Sequence, residues 1–437
     1  MSLNLDSFKA YDLRGRVPDE LNEEIVYAVG RAFADFLEPK HVVVGHDIRL
    51  SSPALCSALT GGLTDSGVDV AAIGVCGTEE IYFATDHFKF DGGIMVTASH
   101  NPKDYNGLKL VRSESRPISA DTGLDDIKRL VAENRFAPSA AKGKVERLTH
   151  RSAYIERLLA RMDTEDLKPF KIVANPGNGG AGIVVEQLKS RLPVEFIEVQ
   201  FAPDGNFPNG VPNPLLPENR VPTLDAIKQH GADLGLAWDG DFDRCFLFDE
   251  QGRYIEGYYI VGLLAQAFLV REPGSAIVHD PRLTWNTQDL VQRGGGRAVE
   301  SKAGHAFMKE RMRLEDAVYG GEMSAHHYFR DFAFCDSGML PWLLVIDLMS
   351  KQNCRLSELV DERIRLYPVS GEINRRIADP AALLEEVQRK YAKEATDIQH
   401  LDGLSMTFAN WRFNLRPSNT EPVVRLNVES RGDVALM

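Results

Sequence analysis

The 437-residue chain lacks an apolar run long enough to cross a bilayer; the longest, Met339 to Ile346, leads straight into Asp347. Its opening stretch, MSLNLDSFKAYDLRG, has no apolar core of the kind a secretory leader carries, so a cytoplasmic protein is expected. Cysteine is scarce: Cys56, Cys76, Cys245, Cys335 and Cys354 are scattered without C-x-x-C spacing. Their odd number in so long a chain argues against a disulfide framework and for reduced thiols. A basic excess is missing too. Fifty Lys and Arg against 63 Asp and Glu give a formal net charge of −13. That speaks against nucleic acid or an anionic membrane as partner, because both demand a broad basic surface. An anionic small molecule is still allowed, provided a local cluster of Arg and Lys is set against the global field. Basic residues inside motifs therefore carry extra weight.

What the chain does have is length beyond one hydrophobic core and a recurring strand–helix alternation. HVVVGHD (41–47), DVAAIGVC (69–76) and GGIMVTAS (92–99) read as strands, with helical spacing in 23–37 and 52–67 between them. A second set starts with KIVANPG, followed by a helix through GIVVEQLKSRL and the strands VEFIEVQF and ADLGLAWDGD. SAIVHD (275–280), RAVESKAG and DAVYGGEMS form a third set around helices at 285–292 and 307–313. Three such units imply three α/β domains with largely parallel, mixed sheets. A helix near 380–395 and the strand-rich LSMTFANWRFNLRPSNTEPVVRLNVES imply a fourth, α+β domain with antiparallel strands. The expected domains are 1–145, 146–250, 251–360 and 361–437, and the Pro-rich NFPNGVPNPLLPENR (206–220) is expected to be an ordered surface loop. In such sheets ligands gather at the carboxyl ends of strands, so polar corners there matter most.

Four corners stand out. In TASHNP, Ser99 follows a strand and is either a displayed nucleophile or a cap; no G-x-S-x-G elbow surrounds it. In AWDGDFDR, Asp239, Asp241 and Asp243 alternate after an apolar run, and three carboxylates this close repel unless a cation sits among them. Hard oxygen donors favour Mg²⁺. An EF-hand would place Gly where Arg244 stands, and a haloacid-dehalogenase-type phosphatase would want Thr in place of Asp243. RFNLRPSNTEP gathers Arg416, Ser418, Asn419 and Thr420, a donor set suited to phosphate or to a plain hydrophilic hairpin. YGGEMSAHHYF offers Glu322, Ser324, His326 and His327, suited to sugar hydroxyls but thin for zinc.

TASHNP, DGDFDR, GGEMSAHH and RPSNTEP in this order resemble the α-D-phosphohexomutase family, from Lys9 to Arg431, and within it the bacterial phosphomannomutase group. The resemblance implies four domains around a central cleft and an isomerase that moves a phosphoryl group on a hexose phosphate, feeding GDP-mannose and polysaccharide synthesis. It implies a phosphoserine at Ser99, one Mg²⁺ held by Ser99, Asp239, Asp241 and Asp243, and a hexose 1,6-bisphosphate as intermediate and activator. Arg14 of KAYDLRG, Lys109 and Arg244 would surround the transferring group, with Lys109 and His326 as general acid or base. Glu322 and Ser324 would read the sugar. The distal phosphate would rest on Arg416, Ser418, Asn419 and Thr420, helped by Tyr11, Arg282 and His305. One departure from the family pattern is expected to shorten the fourth domain: the sequence stops at ESRGDVALM, where relatives continue through a further helix. The resemblance leaves open mannose against glucose phosphates and monomer against dimer. A phosphatase or a non-catalytic sugar-phosphate-binding protein is the alternative from another class.

Overall fold

The computed structural model describes residues 3–136, 139–162, 164–417 and 423–437. HVVVGH forms the strand His41–His46 inside the first sheet, where Val42, Val43 and Val44 are buried on both faces. The order across that sheet is Leu13–Arg16, Tyr105–Arg112, Gly92–Val96, His41–His46, Asp69–Val75 and Val145–Arg147. The first two pairings are antiparallel and the rest parallel, so the sheet is mixed. The helix Glu23–Leu37 begins where the Asn22 side chain accepts from the Ile25 amide at 3.0 Å, with Glu23 and Glu24 in the first turn. It turns Ile25, Val26, Val29 and Phe33 into the core. It also lies tightly on the helix Ser52–Asp65: a Cβ at Gly62 would come within 2.2 Å of the Tyr27 carbonyl oxygen.

The second sheet repeats the plan, with Cys245–Asp249, Leu234–Trp238, Phe170–Asn175 and Val194–Glu198 in that order. Leu234–Trp238 is buried at every residue and pairs antiparallel with Cys245–Asp249, which makes 239–244 a tight connection at a strand end. The Pro-rich loop 206–220 is ordered by its own side chains. The Asn219 amide donates to the Asn213 carbonyl at 3.1 Å, and the Arg220 guanidinium to that of Pro214 at 2.7 Å.

The chain divides into two compact units, Met1–Arg253 with Asp331–Lys351, and Tyr254–Arg330 with Gln352–Met437. The returning piece joins the first unit through buried Glu79, which accepts from Ser337 Oγ at 2.9 Å and from the Gly338 and Met339 amides. The apolar run at 339–346 thus becomes the buried start of the helix Leu340–Gln352. No helix among the described residues is long and apolar enough to cross a membrane.

In the second unit, Arg297–Glu300, Ala276–His279 and Tyr319–Gly321 run parallel, with His327–Phe329 antiparallel beside them. The last sheet, Ile373–Arg376, Val423–Ser430, Trp411–Pro417, Leu404–Thr407 and Asp397–Gln399, is antiparallel throughout. Three mixed α/β sheets and an antiparallel fourth are what the alternation of runs predicted. Arg412 and Glu429 face each other across the last sheet and form a buried ion pair at 2.9 Å. Glu429 also accepts the Thr284 amide at 2.7 Å, at the start of the helix Trp285–Arg293. Arg412 donates to the carbonyls of Pro281 and Arg282. Replacing Glu429 with Ala leaves Arg412 buried without its carboxylate, a loss of about 3–5 kcal/mol. Amide hydrogen exchange at Thr284 should then speed up by roughly 10²-fold or more.

Candidate functional site

The strand Gly92–Val96 delivers TASHNP to the carboxyl edge of the first sheet. There Ser99 adopts φ 50°, a left-handed conformation that costs a non-glycine residue on the order of 1–3 kcal/mol and needs outside support. Arg49 supplies it. Its buried guanidinium donates to the carbonyls of Ser99 (2.9 Å), Asn101 (2.7 Å), Pro102 (2.6 Å) and Tyr105 (3.0 Å). Asp47 pairs with Arg49 at 3.2 Å and accepts from Thr97 Oγ1 at 2.8 Å, and Thr97 in turn accepts the Ser99 amide. Sequence reasoning passed over Asp47 and Arg49. Their signal was available, because HDIRLSS is a polar corner directly after HVVVGH.

The acidic loop meets this serine. Ser99 Oγ donates to Asp239 Oδ2 at 2.8 Å and lies 3.1 Å from His100 Nδ1. A Cβ at Gly240 would stand 2.5 Å from the Ser99 carbonyl oxygen, so only glycine lets the two loops approach this closely. Lys109, on the strand Tyr105–Arg112, places Nζ 2.8 Å from Asp241 Oδ2 and 2.6 Å from Asp243 Oδ2. Burial opposes the ammonium, yet Asp241 and Asp243 outweigh it and hold Lys109 above its ordinary value. Arg244 donates Nε and Nη2 to Asp239 Oδ2 and Nη2 to His100 Nδ1 at 2.5 Å. Burial, with Arg244 and Arg14 nearby, pushes His100 well down, so the ring is neutral and accepts at Nδ1. Arg14 donates to Asp12, to Asn101 Oδ1 at 2.5 Å and to the Ala98 carbonyl. Tyr11 is half-buried on the bend before Leu13–Arg16. Ser99, Lys109, Arg14, Arg244 and the three aspartates are thus brought together.

Donor atoms of Asp239, Asp241 and Asp243 all lie within 4.8 Å of one another, and all three residues are buried. Asp241 Oδ1 is buried with no hydrogen-bond partner. Burial lifts Asp239 to about 6; Arg244 opposes the rise, and Asp243 and Asp241 add to it. An all-oxygen set with a bare buried carboxylate oxygen and a carboxylate that resists ionising fits a hard divalent cation such as Mg²⁺.

A second cluster lies in the second unit. Arg282 forms a two-pronged pair with Asp280, at 3.0 and 2.9 Å, and reaches Glu322 Oε1 at 3.4 Å and Ser324 Oγ at 3.3 Å. Glu322 further accepts the Gly304 amide at 2.9 Å, just before His305, and Tyr328 Oη at 2.6 Å. His326 Nδ1 stands 3.4 Å from Glu322 Oε2. Burial, then His326, lowers His327 to about 3, and its Nδ1 is bonded to Tyr319 Oη, so it is a structural neutral histidine. Arg416 and Arg425 are direct cross-strand partners, a like-charge pairing that repels. Glu372 lies 3.7 Å from Arg416, 3.8 Å from Arg425 and 4.0 Å from Arg282, and Asp402 lies 3.5 Å from Arg416. Three guanidiniums gathered here present forked donors of the kind an anion takes. Arg425 was not among the expected residues; its only signal is its place in VVRLNVES, opposite Arg416. Ser418, Asn419 and Thr420 lie outside the described residues.

Four family models, alpha/beta/alpha domains I, II and III and the C-terminal domain of phosphoglucomutase/phosphomannomutase, match residues 5–138, 152–252, 256–367 and 372–437. A phosphomannomutase of Salmonella montevideo is 60% identical, covering 99% of this chain and 97% of its own length. A Xanthomonas campestris protein named "Phosphohexose mutases" is 58% identical, covering 100% and 97%. Among solved structures, a phosphoglucomutase/phosphomannomutase family protein of Burkholderia thailandensis superposes with a TM-score of 0.89 at 31% identity, covering 98% of this chain and 94% of that one.

The state of Asp239 carries a pH dependence. Its folded value, about 6, lies above the ordinary value of 3.8, so the cation-free protein keeps a proton there that the unfolded chain gives up. That contribution to stability is full below 3.8 and is gone once pH has risen through 6. A divalent cation must displace the proton. Mg²⁺ affinity should therefore rise with pH up to about 6 and level off above it. Titration calorimetry at pH 5.5 in buffers of different ionisation heat should register proton release that disappears by pH 7.5.

Proposed function

The chain belongs to the phosphoglucomutase/phosphomannomutase family, and from that premise we propose that it interconverts mannose 6-phosphate and mannose 1-phosphate with Mg²⁺, through phosphoserine 99 and a hexose 1,6-bisphosphate. The observation that carries the reading is Ser99 Oγ at 2.8 Å from Asp239, inside a buried cluster of three aspartates and Lys109. Domains are taken as 1–145, 146–250, 251–360 and 361–437.

In the first stroke a sugar hydroxyl attacks the phosphorus carried on Ser99. The bond from phosphorus to Ser99 Oγ breaks, the hydroxyl proton passes to a base, and the bisphosphate forms. In the second stroke, after the bisphosphate has reversed its ends, Ser99 Oγ attacks the other phosphate and regains a phosphoryl group. Mg²⁺ on Ser99, Asp239, Asp241 and Asp243 would supply positive charge against the oxygens of the moving group. Arg14, Lys109 and Arg244 add fixed positive charge. Two carboxylates hold Lys109 in its protonated form, which suits an electrostatic role, so proton exchange with the sugar hydroxyl is assigned to His326. Glu322 and Ser324 read ring hydroxyls, and Arg282, Arg416, Ser418, Asn419 and Thr420, with Tyr11 and His305, take the distal phosphate. Mannose 1-phosphate is the form that a nucleotidyl transfer to GDP-mannose consumes, and the bisphosphate primes Ser99.

The broader name of the Xanthomonas relative supports a second reading, one enzyme for both mannose and glucose phosphates. Incubation with mannose 1-phosphate, Mg²⁺ and a trace of hexose 1,6-bisphosphate should yield mannose 6-phosphate; release of inorganic phosphate instead would make the protein a phosphatase, and no reaction a binding protein. A parallel run with glucose 1-phosphate separates the sugars. Ser99→Ala should fold and lose turnover by roughly 10⁴-fold or more; a fully active variant overturns the phosphoserine. Asp241→Ala should lower the rate and the Mg²⁺ response together.

A further inference from the structure

One side chain outside every motif touches the acidic loop. Thr78 opens the helix Thr78–His87 and is fully buried. Its amide donates to the Asp241 carbonyl at 3.1 Å. Its hydroxyl donates to Asp241 Oδ2 at 2.5 Å and accepts from Lys109 Nζ at 3.3 Å. Asp241 Oδ2 also takes Lys109 Nζ directly at 2.8 Å. One carboxylate oxygen of Asp241 therefore receives two donors, while Oδ1, equally buried, has no hydrogen-bond partner.

This asymmetry has a structural origin. The helix start is keyed to the loop by Gly77, where a Cβ would meet the Phe242 ring at 2.1 Å. Glu80 closes the same turn by accepting the Gly77 amide at 3.0 Å. The Thr78 hydroxyl is thereby fixed between an ammonium and a carboxylate, donating to one and accepting from the other. Valine has the same shape and can do neither. A ligating carboxylate is oriented by the hydrogen bonds its other oxygen makes, and losing them typically costs about 10–100-fold in metal affinity.

We infer that Thr78 is a positioning residue for the divalent cation: it binds Asp241 Oδ2, holds Lys109 to the same oxygen, and so turns Asp241 Oδ1 toward the ion. The inference rests on reading Asp239, Asp241 and Asp243 as the cation site. No sugar contact or proton transfer is assigned to Thr78.

The test uses the full chain and Mn²⁺ as probe, with free Mn²⁺ read from its electron paramagnetic resonance signal, so no turnover is needed. Thr78→Val should weaken Mn²⁺ binding by about 10–100-fold, and Thr78→Ser should stay within about threefold of the unaltered protein. In turnover, Thr78→Val should lower kcat at fixed subsaturating Mg²⁺, recover as Mg²⁺ is raised, and leave the KM for hexose phosphate in place. Thr78→Val binding as tightly as the unaltered protein overturns the inference. So does a loss that Thr78→Ser shares, which would assign the effect to packing. If Thr78→Val does not fold, Thr78→Ala is read by the same criteria. Asp241→Asn is the control for the site itself: if it binds Mn²⁺ like the unaltered protein, the cation-site reading fails and this inference with it, a result visible without any Thr78 variant.

Discussion

Three buried carboxylates in one short turn cannot remain together by packing alone. Asp239, Asp241 and Asp243 sit within 4.8 Å of one another, and their mutual repulsion is strengthened by the low dielectric around them. Cations on two sides make the turn possible: Lys109 against Asp241 and Asp243, and Arg244 against Asp239. Lys109 comes from the sheet of the first α/β domain and the aspartates from that of the second, so charge neutralisation also ties those two sheets into one unit. The balance is incomplete. Asp239 remains hard to ionise and Asp241 Oδ1 remains bare, a residual deficit that suits a further positive charge.

The same arrangement explains why Ser99 tolerates a left-handed backbone. Arg49 gathers the carbonyls of Ser99, Asn101, Pro102 and Tyr105, and its own charge is answered by Asp47. These buried contacts are worth more than the strain they oppose, since a charged donor bond contributes about 1.5–3 kcal/mol against a strain on the order of 1–3 kcal/mol. The serine is thereby presented rigidly to Asp239.

The second unit gathers guanidiniums instead. Arg282, Arg416 and Arg425 crowd around Glu372, and Asp280, Glu322 and Asp402 also answer them. Arg412 and Glu429 anchor the base of the last hairpin to the loop that carries Arg282. Within an overall charge of −13 the chain thus holds two distinct groupings, an acidic turn in one unit and clustered guanidiniums in the other.

Local pattern by itself determined much of this protein. Continuous apolar runs such as HVVVGH and LGLAW become strands buried on both faces, because a strand between two layers has no polar side to display. The polar corners after those runs gather charged and hydroxyl side chains, because strand ends are where backbone and side chains become available. TASHNP, DGDFDR and GEMS stand out in the sequence as such corners. What only the tertiary structure decided is which atom meets which. Ser99 and Asp239 are 140 residues apart, and Thr78 and Asp241 are 163 apart. Arg49 looks like any arginine after a strand until the loop it supports is folded over it. Arg425 acquires its meaning only from the register that sets it opposite Arg416. The return of Asp331–Lys351 to the first unit likewise meets a distant buried partner, Glu79. Periodicity is a local property and survives in the sequence. Charge pairing between remote segments depends on distances that exist only after the sheets have formed.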